Sequence, residues 1–256
     1  MISGATVGLV LSGGGFRAAA QIGAIKALNE SGIHAHFVSG VSAGSLVGAC
    51  YAARLSCEDM LALFNKPKLF SLTHYGYKKP GMLDTDKLKI YLEEFIPSST
   101  FEELEIPLFI SATNMLSGKL ETFYSGGLHK PLLGSCAFPF IFSPVEYMGN
   151  YYSDGGIINN FPVEPLLEKC QTIIGIYVNP VTEVIGQDLN SSVKVLQRAF
   201  SISTSATPYK KFDKCNIIIE PKDLSNFNLF DRRNIQKIYE IGYQETCKVL
   251  EKEGLK

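Results

Sequence analysis

Two glycine-punctuated turns, each set between an apolar run and a helical pattern, constrain this chain more than any other feature. Thr6 to Ser12 is the first apolar run, and Gly13-Gly14-Gly15 follows it directly. A helical pattern then extends from Arg17 to about Asn29, with Ala20, Ala24, Ala27 and Leu28 on one face and Gly32 closing it. The unit repeats at once. A second apolar run, near Phe37 to Val41, passes through Gly40-Val41-Ser42-Ala43-Gly44 into a helix from Ala43 to about Arg54. A β-α-β-α rhythm of this kind predicts an α/β fold, a sheet with parallel strands covered by helices on both faces.

The remaining elements read in the same way. A helix from about Glu58 to Phe64 precedes a loop holding Pro67, Gly76, Pro80 and Gly81, and the next helix starts after Asp84 and ends near Phe95. Strands are expected at Pro107 to Asn114, Lys119 to Tyr124, Thr172 to Asn179 and Cys215 to Glu220, with a hairpin over Tyr147 to Tyr152 turning at Gly149-Asn150. Helices fill Leu189 to Ser203 and Arg232 to Glu253. With no internal repeat and no low-complexity linker in 256 residues, one domain spanning 1–256 is the economical reading.

Composition removes several classes. Hydrophobic residues at 46% and charged residues at 19% exclude a disordered chain. Lys+Arg 24 against Asp+Glu 25, with no like-charge block, leaves no electrostatic footprint for nucleic acid. The six cysteines form no C-x-x-C pair and keep no metal-finger spacing from a histidine, so no metal site is expected. Nothing at the N-terminus resembles a signal peptide, and the cysteines are expected to be reduced, mostly buried small hydrophobes in a cytoplasmic protein. The uncharged run from Phe37 to Ala53 is about as long as a short membrane span, but its Gly and Ser residues divide it into strand, turn and helix.

The chemistry-bearing pattern is G-x-S-x-G at residues 40–44. A strand turning sharply into a helix pushes the Ser42 hydroxyl out at the sheet's end, and the small flanks Gly40 and Gly44 let neighbouring backbone come close. The helix that follows aims its free N–H groups at a reacting oxygen. Gly13-Gly14-Gly15 has two readings. Gly13-x-Gly15-x-x-Ala18 formally fits a dinucleotide fingerprint, but that needs an acid about 20 residues on, and Gly32 to Leu55 contains no Asp or Glu. The better reading is an oxyanion hole, with the N–H groups of Gly14 and Gly15 facing Ser42 across adjacent strand ends. Arg17 either braces that loop, meets an anionic head group, or is an ordinary first-turn surface arginine.

A serine nucleophile needs a base. Histidine is poorly placed to be it: His34 and His36 read as surface loop, His74 lies in the Gly/Pro-rich loop, and His129 reads as exposed ahead of Pro131. Asp154-Gly155-Gly156 offers a carboxylate in a glycine-opened loop, with an ordinary turn as the alternative.

At this point the chain resembles the patatin-like phospholipases. The matching features keep that family's order: Gly13-Gly14-Gly15-Phe16-Arg17, the Ser42 elbow, Ser135 to Pro139 with Pro144, and Asp154-Gly155-Gly156 with Asn160 and Pro162. The resemblance implies a three-layer α/β/α sandwich with a mainly parallel central sheet. It also implies lipid acyl hydrolysis by a Ser–Asp dyad without histidine, metal or cofactor. By motif position Ser42 is then the nucleophile, Asp154 the base, and Gly13 to Arg17 the oxyanion loop. Ala18 and Gln21 depart from residues frequent in the family, in ways that bear on substrate choice. The partner implied is a lipid or acyl-ester substrate, with peripheral contact to a membrane or micelle. The uncharged stretch from Pro131 to Val145 either lines an acyl channel, touches an interface, or is simply buried. A short-chain carboxylesterase and a catalytically silent lipid-binding regulator are the rival functions.

Overall fold

The computed structural model describes residues 4–66, 89–139, 141–230 and 232–255. Its strands are β1 (Val7–Leu11), β2 (Phe37–Val41), β3 (Leu108–Asn114), β4 (Lys119–Phe123), β5 (Val145–Tyr147), β6 (Asn150–Asp154), β7 (Thr172–Ile176) and β8 (Ile217–Ile219). They form one sheet of order β5-β6-β3-β2-β1-β7-β8, with β4 also paired to β3. From β3 through β8 every pairing is parallel, whereas β4, β5 and β6 join antiparallel. The sheet is therefore parallel at its centre and antiparallel on one flank.

β1 reads VGLVL and is buried at every position. It lacks polar alternation because both of its faces are covered. Leu9 and Leu11 belong to the larger core, beneath α1 (Ala19–Glu30), α2 (Ala43–Ala52), α3 (Cys57–Asn65), α5 (His129–Cys136) and α7 (Ile235–Lys252). α4 (Lys89–Phe95) sends Leu92 into the same core. Val10 faces the other way, into a smaller core with Phe109, Phe161 and Tyr177.

That second face is covered by short helical turns and the end of one longer helix. It is sealed by Phe161, Val163 and Leu166 and by the ring cluster Tyr177–Tyr209–Phe212, in which Tyr209 comes from the end of α6 (Ser192–Tyr209). Pro162 and Pro165 keep the connection between β6 and β7 in short helical turns, because a helix interior has no place for two missing N–H groups.

Smaller differences have local causes. β7 ends at Ile176 rather than Asn179, since Val178 N–H leaves the ladder to donate to Ser12 Oγ at 3.0 Å. The β5–β6 hairpin turns at Met148-Gly149, both at positive φ, rather than at Gly149-Asn150. All six cysteines are free, but only Cys50 is fully buried and the other five are partly exposed. Pro67, Gly76, Pro80, Gly81, His74 and the Asp84 helix start lie outside the described residues. Among the described residues no helix is long and apolar enough to cross a membrane.

Candidate active site

Ser42 sits between β2 and α2 at φ 54° and ψ −133°. A non-glycine residue held there stores strain of about 1–3 kcal/mol, and the surroundings show what holds it. The Ser42 N–H donates to Ser135 Oγ at 2.8 Å, and that hydroxyl in turn donates to the Ser111 carbonyl at 2.7 Å. The Ser42 carbonyl accepts from Ser45 Oγ at 2.6 Å and from the Cys136 thiol at 3.3 Å. The flanking glycines are needed for space: a methyl on Gly44 would press on the carbonyls of Leu11 and Ser12, and one on Gly40 would lie 2.7 Å from the Gly44 carbonyl oxygen. Ser135 was legible in the sequence only as part of a motif. Its work as the brace of the elbow appears once α5 is packed on β3.

The register of β3 explains how Ser42 meets Asp154, 112 positions away in sequence. Ser111 pairs with Val41 at the end of β2, and the next residue, Ala112, pairs with Asp154 at the end of β6. Both β3 residues pair with β4 as well, so β2 and β6 lie along the same side of β3 and meet end to end. At that junction Ser42 Oγ donates to Asp154 Oδ2 at 2.6 Å. Gly156 N–H donates to Asp154 Oδ1 at 2.8 Å, and Thr113 Oγ1 donates to the Asp154 carbonyl at 2.9 Å. Burial pushes the Asp154 carboxyl up to about 6, with the hydrogen bonds from Ser42 and Gly156 pulling the other way. A carboxylate in that position is a far better proton acceptor at neutral pH than an exposed one, while still ionised.

The glycine turn lies opposite. Among the described residues the N–H groups of Gly13, Gly14 and Gly15 donate to nothing, whereas the next N–H, of Phe16, donates to the Leu229 carbonyl at 2.8 Å. Gly15 is at φ 55°, and a side chain there would run into the Leu229 carbonyl. The Asn179 amide holds the Gly13 carbonyl from behind. Ser42, Asp154, Gly14 and Gly15 open together on one cavity of about 80 Å³, whose other walls are mostly apolar, Phe16, Leu46, Phe64, Leu133, Phe138 and Phe142 among them, with Asn160, Asn179, Ser201 and Thr204 as further polar lining. Leu133, Phe138 and Phe142 come from the Pro131 to Val145 stretch, which thus lines the cavity. Phe140 lies outside the described residues.

Arg17 faces elsewhere. It is buried rather than a surface arginine, donates through Nε to the Phe227 carbonyl at 2.8 Å, and has its guanidinium pushed down to about 10 by burial. Its side chain borders a separate, polar cavity of about 360 Å³ with Lys194 and Arg198. Arg17 therefore braces the glycine loop against the segment that carries Leu229. Of the histidines, His34 and His36 are exposed as expected, but His129 is buried, its Nε2 3.1 Å from the Ile96 carbonyl. α5 packs its first turn under the Ile96 segment, which sequence spacing does not reveal. Among the described residues no His, Cys, Asp and Glu side chains gather in a group able to hold a metal ion.

The family model for patatin-like phospholipases matches residues 9–167. A lysophospholipase of the fungus Mycosarcoma maydis, NTE1, is 32% identical over 175 residues, which is 65% of this chain and 9% of that protein. An uncharacterized NTE family protein of Mycobacterium tuberculosis is 32% identical over 162 residues, 62% of this chain and 45% of that protein. The chain thus spans about a tenth of the fungal relative's length and under half of the mycobacterial one. Among solved structures, VipD from Legionella pneumophila superimposes with a TM-score of 0.57 at 17% identity, over 96% of this chain and 67% of that one. Human GIVD cytosolic phospholipase A2 gives 0.53 at 10% identity, over 98% of this chain and 58% of that one. These two likenesses concern the fold.

Proposed function

The chain belongs to the patatin-like phospholipase family, and from that membership we propose that it is a lipid acyl hydrolase in which Ser42 is the nucleophile and Asp154 its base. The observation that carries the reading is the 2.6 Å hydrogen bond from Ser42 Oγ to a desolvated Asp154 carboxylate, facing a loop of undonated glycine N–H groups. In the acylation step Ser42 Oγ attacks the ester carbonyl as its proton passes to Asp154 Oδ2. The carbonyl oxygen gains charge against the N–H groups of Gly14 and Gly15, at the positive end of α2. Collapse expels the alcohol, which takes the proton from Asp154, and leaves Ser42 acylated. Water then attacks the acyl group, gives its proton to Asp154, and the fatty acid leaves as Ser42 recovers that proton.

The substrate class follows from the cavity. A cavity walled mostly by apolar side chains suits an acyl chain, and relatives named lysophospholipases have the corresponding chemistry in their names. Peripheral contact with a lipid surface belongs to the same reading. Exposed Leu196 and Ile202 lie on α6, the helix whose Ser201 and Thr204 border the cavity. The test is hydrolysis of a lysophospholipid and of p-nitrophenyl esters from butyrate to palmitate, by wild-type protein and Ser42→Ala. Ser42-dependent release that improves with chain length supports the proposal. Preference for butyrate would point to a short-chain carboxylesterase, and binding of lipid without release to a silent lipid-binding protein.

A further inference from the structure

Three asparagines stand near the reacting centre, and two of them have hydrogen-bond partners within the protein. Asn159 accepts from Phe161 N–H and Lys211 Nζ and donates to Glu164, while Asn179 donates to the Gly13 carbonyl. Asn160 is 4% exposed, yet among the described residues its side-chain amide has no hydrogen-bond partner. Polar side-chain atoms that are both sealed and unpartnered are, among the described residues, Gln21 Oε1 and the Tyr177 hydroxyl. The Asn160 amide is unpartnered without being sealed, and it lines the cavity that Ser42, Asp154, Gly14 and Gly15 open on.

Two close approaches locate the amide. A point one bond out from the Gly13 α-carbon is 2.5 Å from Asn160 Oδ1 and 3.0 Å from Ser42 Cβ. The same construction on Gly156 gives 2.9 Å to Asn160 Oδ1 and 3.0 Å to Asp154 Oδ1. The amide head therefore stands within about 6 Å of both the Ser42 side chain and the Asp154 carboxylate, wedged between the glycine loop and the Asp154 loop. Burying an amide without a partner is unfavourable, and one that opens on a reacting centre is placed to be completed by a bound substrate.

We propose that Asn160 is a further catalytic residue, whose side-chain N–H donates to the ester carbonyl oxygen as that oxygen becomes negative, alongside the N–H groups of Gly14 and Gly15. The proposal rests on the acyl-hydrolase reading above. A preorganised amide donor of this kind contributes chiefly in the transition state, so its removal lowers kcat on the order of 10²–10³-fold with little change in KM.

The test uses Asn160→Ala and Asn160→Leu, the second keeping the amide's volume without its donor. For variants whose melting matches wild type, the expected result is that fall in kcat, with KM within about threefold. A trifluoromethyl ketone of matched chain length, whose Ser42 adduct carries the oxyanion, should lose affinity by the same factor, while the matched alcohol binds unchanged. A folded variant with near-normal kcat overturns the proposal, as does equal weakening of ketone and alcohol, which would mark Asn160 as shaping the cavity only. A measurement on wild-type protein needs no variant: the Asn160 side-chain amide proton resonances should move downfield when the ketone adduct forms, and resonances that stay in place refute the contact. Wild-type protein that lacks Ser42-dependent esterase activity would instead remove the acyl-hydrolase reading itself. An active wild type with active Asn160 variants removes the proposal alone.

Discussion

Replacing Asp154 by Asn should stop turnover and make the protein more stable, by an amount that depends on pH. The carboxyl titrates near 6 in the folded chain against 3.8 in an unperturbed one, so the folded state binds the proton more tightly. Between those values the native state holds more protons than the unfolded state, and stability falls as pH rises through the window. Linkage puts the cost of ionised Asp154 at about 2 kcal/mol at pH 5 and about 3 kcal/mol at pH 8, and near zero below pH 3.8. Asparagine is the nearest isostere of the neutral acid. It keeps an acceptor for the Gly156 N–H and presents an amide to Ser42 Oγ, so it avoids the cost at every pH. For a chain of this size the gain at pH 8 corresponds to a rise of about 6–12 °C in melting temperature. Urea titrations of wild type and Asp154→Asn at pH 5 and pH 8, paired with esterase assays, measure both halves. A stability difference that is the same at the two pH values would refute the reasoning, because the buried charge would then not be its source.

Other expected outcomes are simpler to read. A fluorophosphonate should label Ser42 and no other residue, since the strained elbow presents that hydroxyl to the cavity; an adduct mapped elsewhere by mass spectrometry would displace the assignment. The acid limb of kcat/KM should follow the ionisation of Asp154, with activity falling as pH drops through about 6. Changing His34, His36, His74 and His129 together to Gln should leave most of kcat in place, with a loss of about 1 kcal/mol of stability from the buried His129 contact. Inactivity of that folded variant would call for a histidine base. Gly15→Ala should destabilise by about 2–3 kcal/mol in chemical denaturation, because φ is 55° and the new methyl meets the Leu229 carbonyl.

What the linear chain determined by itself was local. Gly40, Ser42 and Gly44 announce a sharp strand-to-helix turn, and the two glycines there answer to backbone carbonyls that lie close in the fold. The uniformly apolar β1 announced a strand covered on both faces, and the lack of an acid between Gly32 and Leu55 argued against a dinucleotide site. Such features depend on backbone conformation and side-chain size within a few residues, and these are written in order along the chain. Contacts across the sheet are not. That Asp154 reaches Ser42 depends on consecutive β3 residues pairing with the ends of β2 and β6. That Ser135 braces the elbow depends on α5 packing against β3, and the same packing buries His129, which its sequence neighbours place on the surface. Arg17 reads equally well as donor, anchor or surface charge until the segment carrying Phe227 folds over it, 210 residues later. Burial, too, is a property of the assembled layers, and desolvation by those layers turns Asp154 from an ordinary acid into one that titrates near 6.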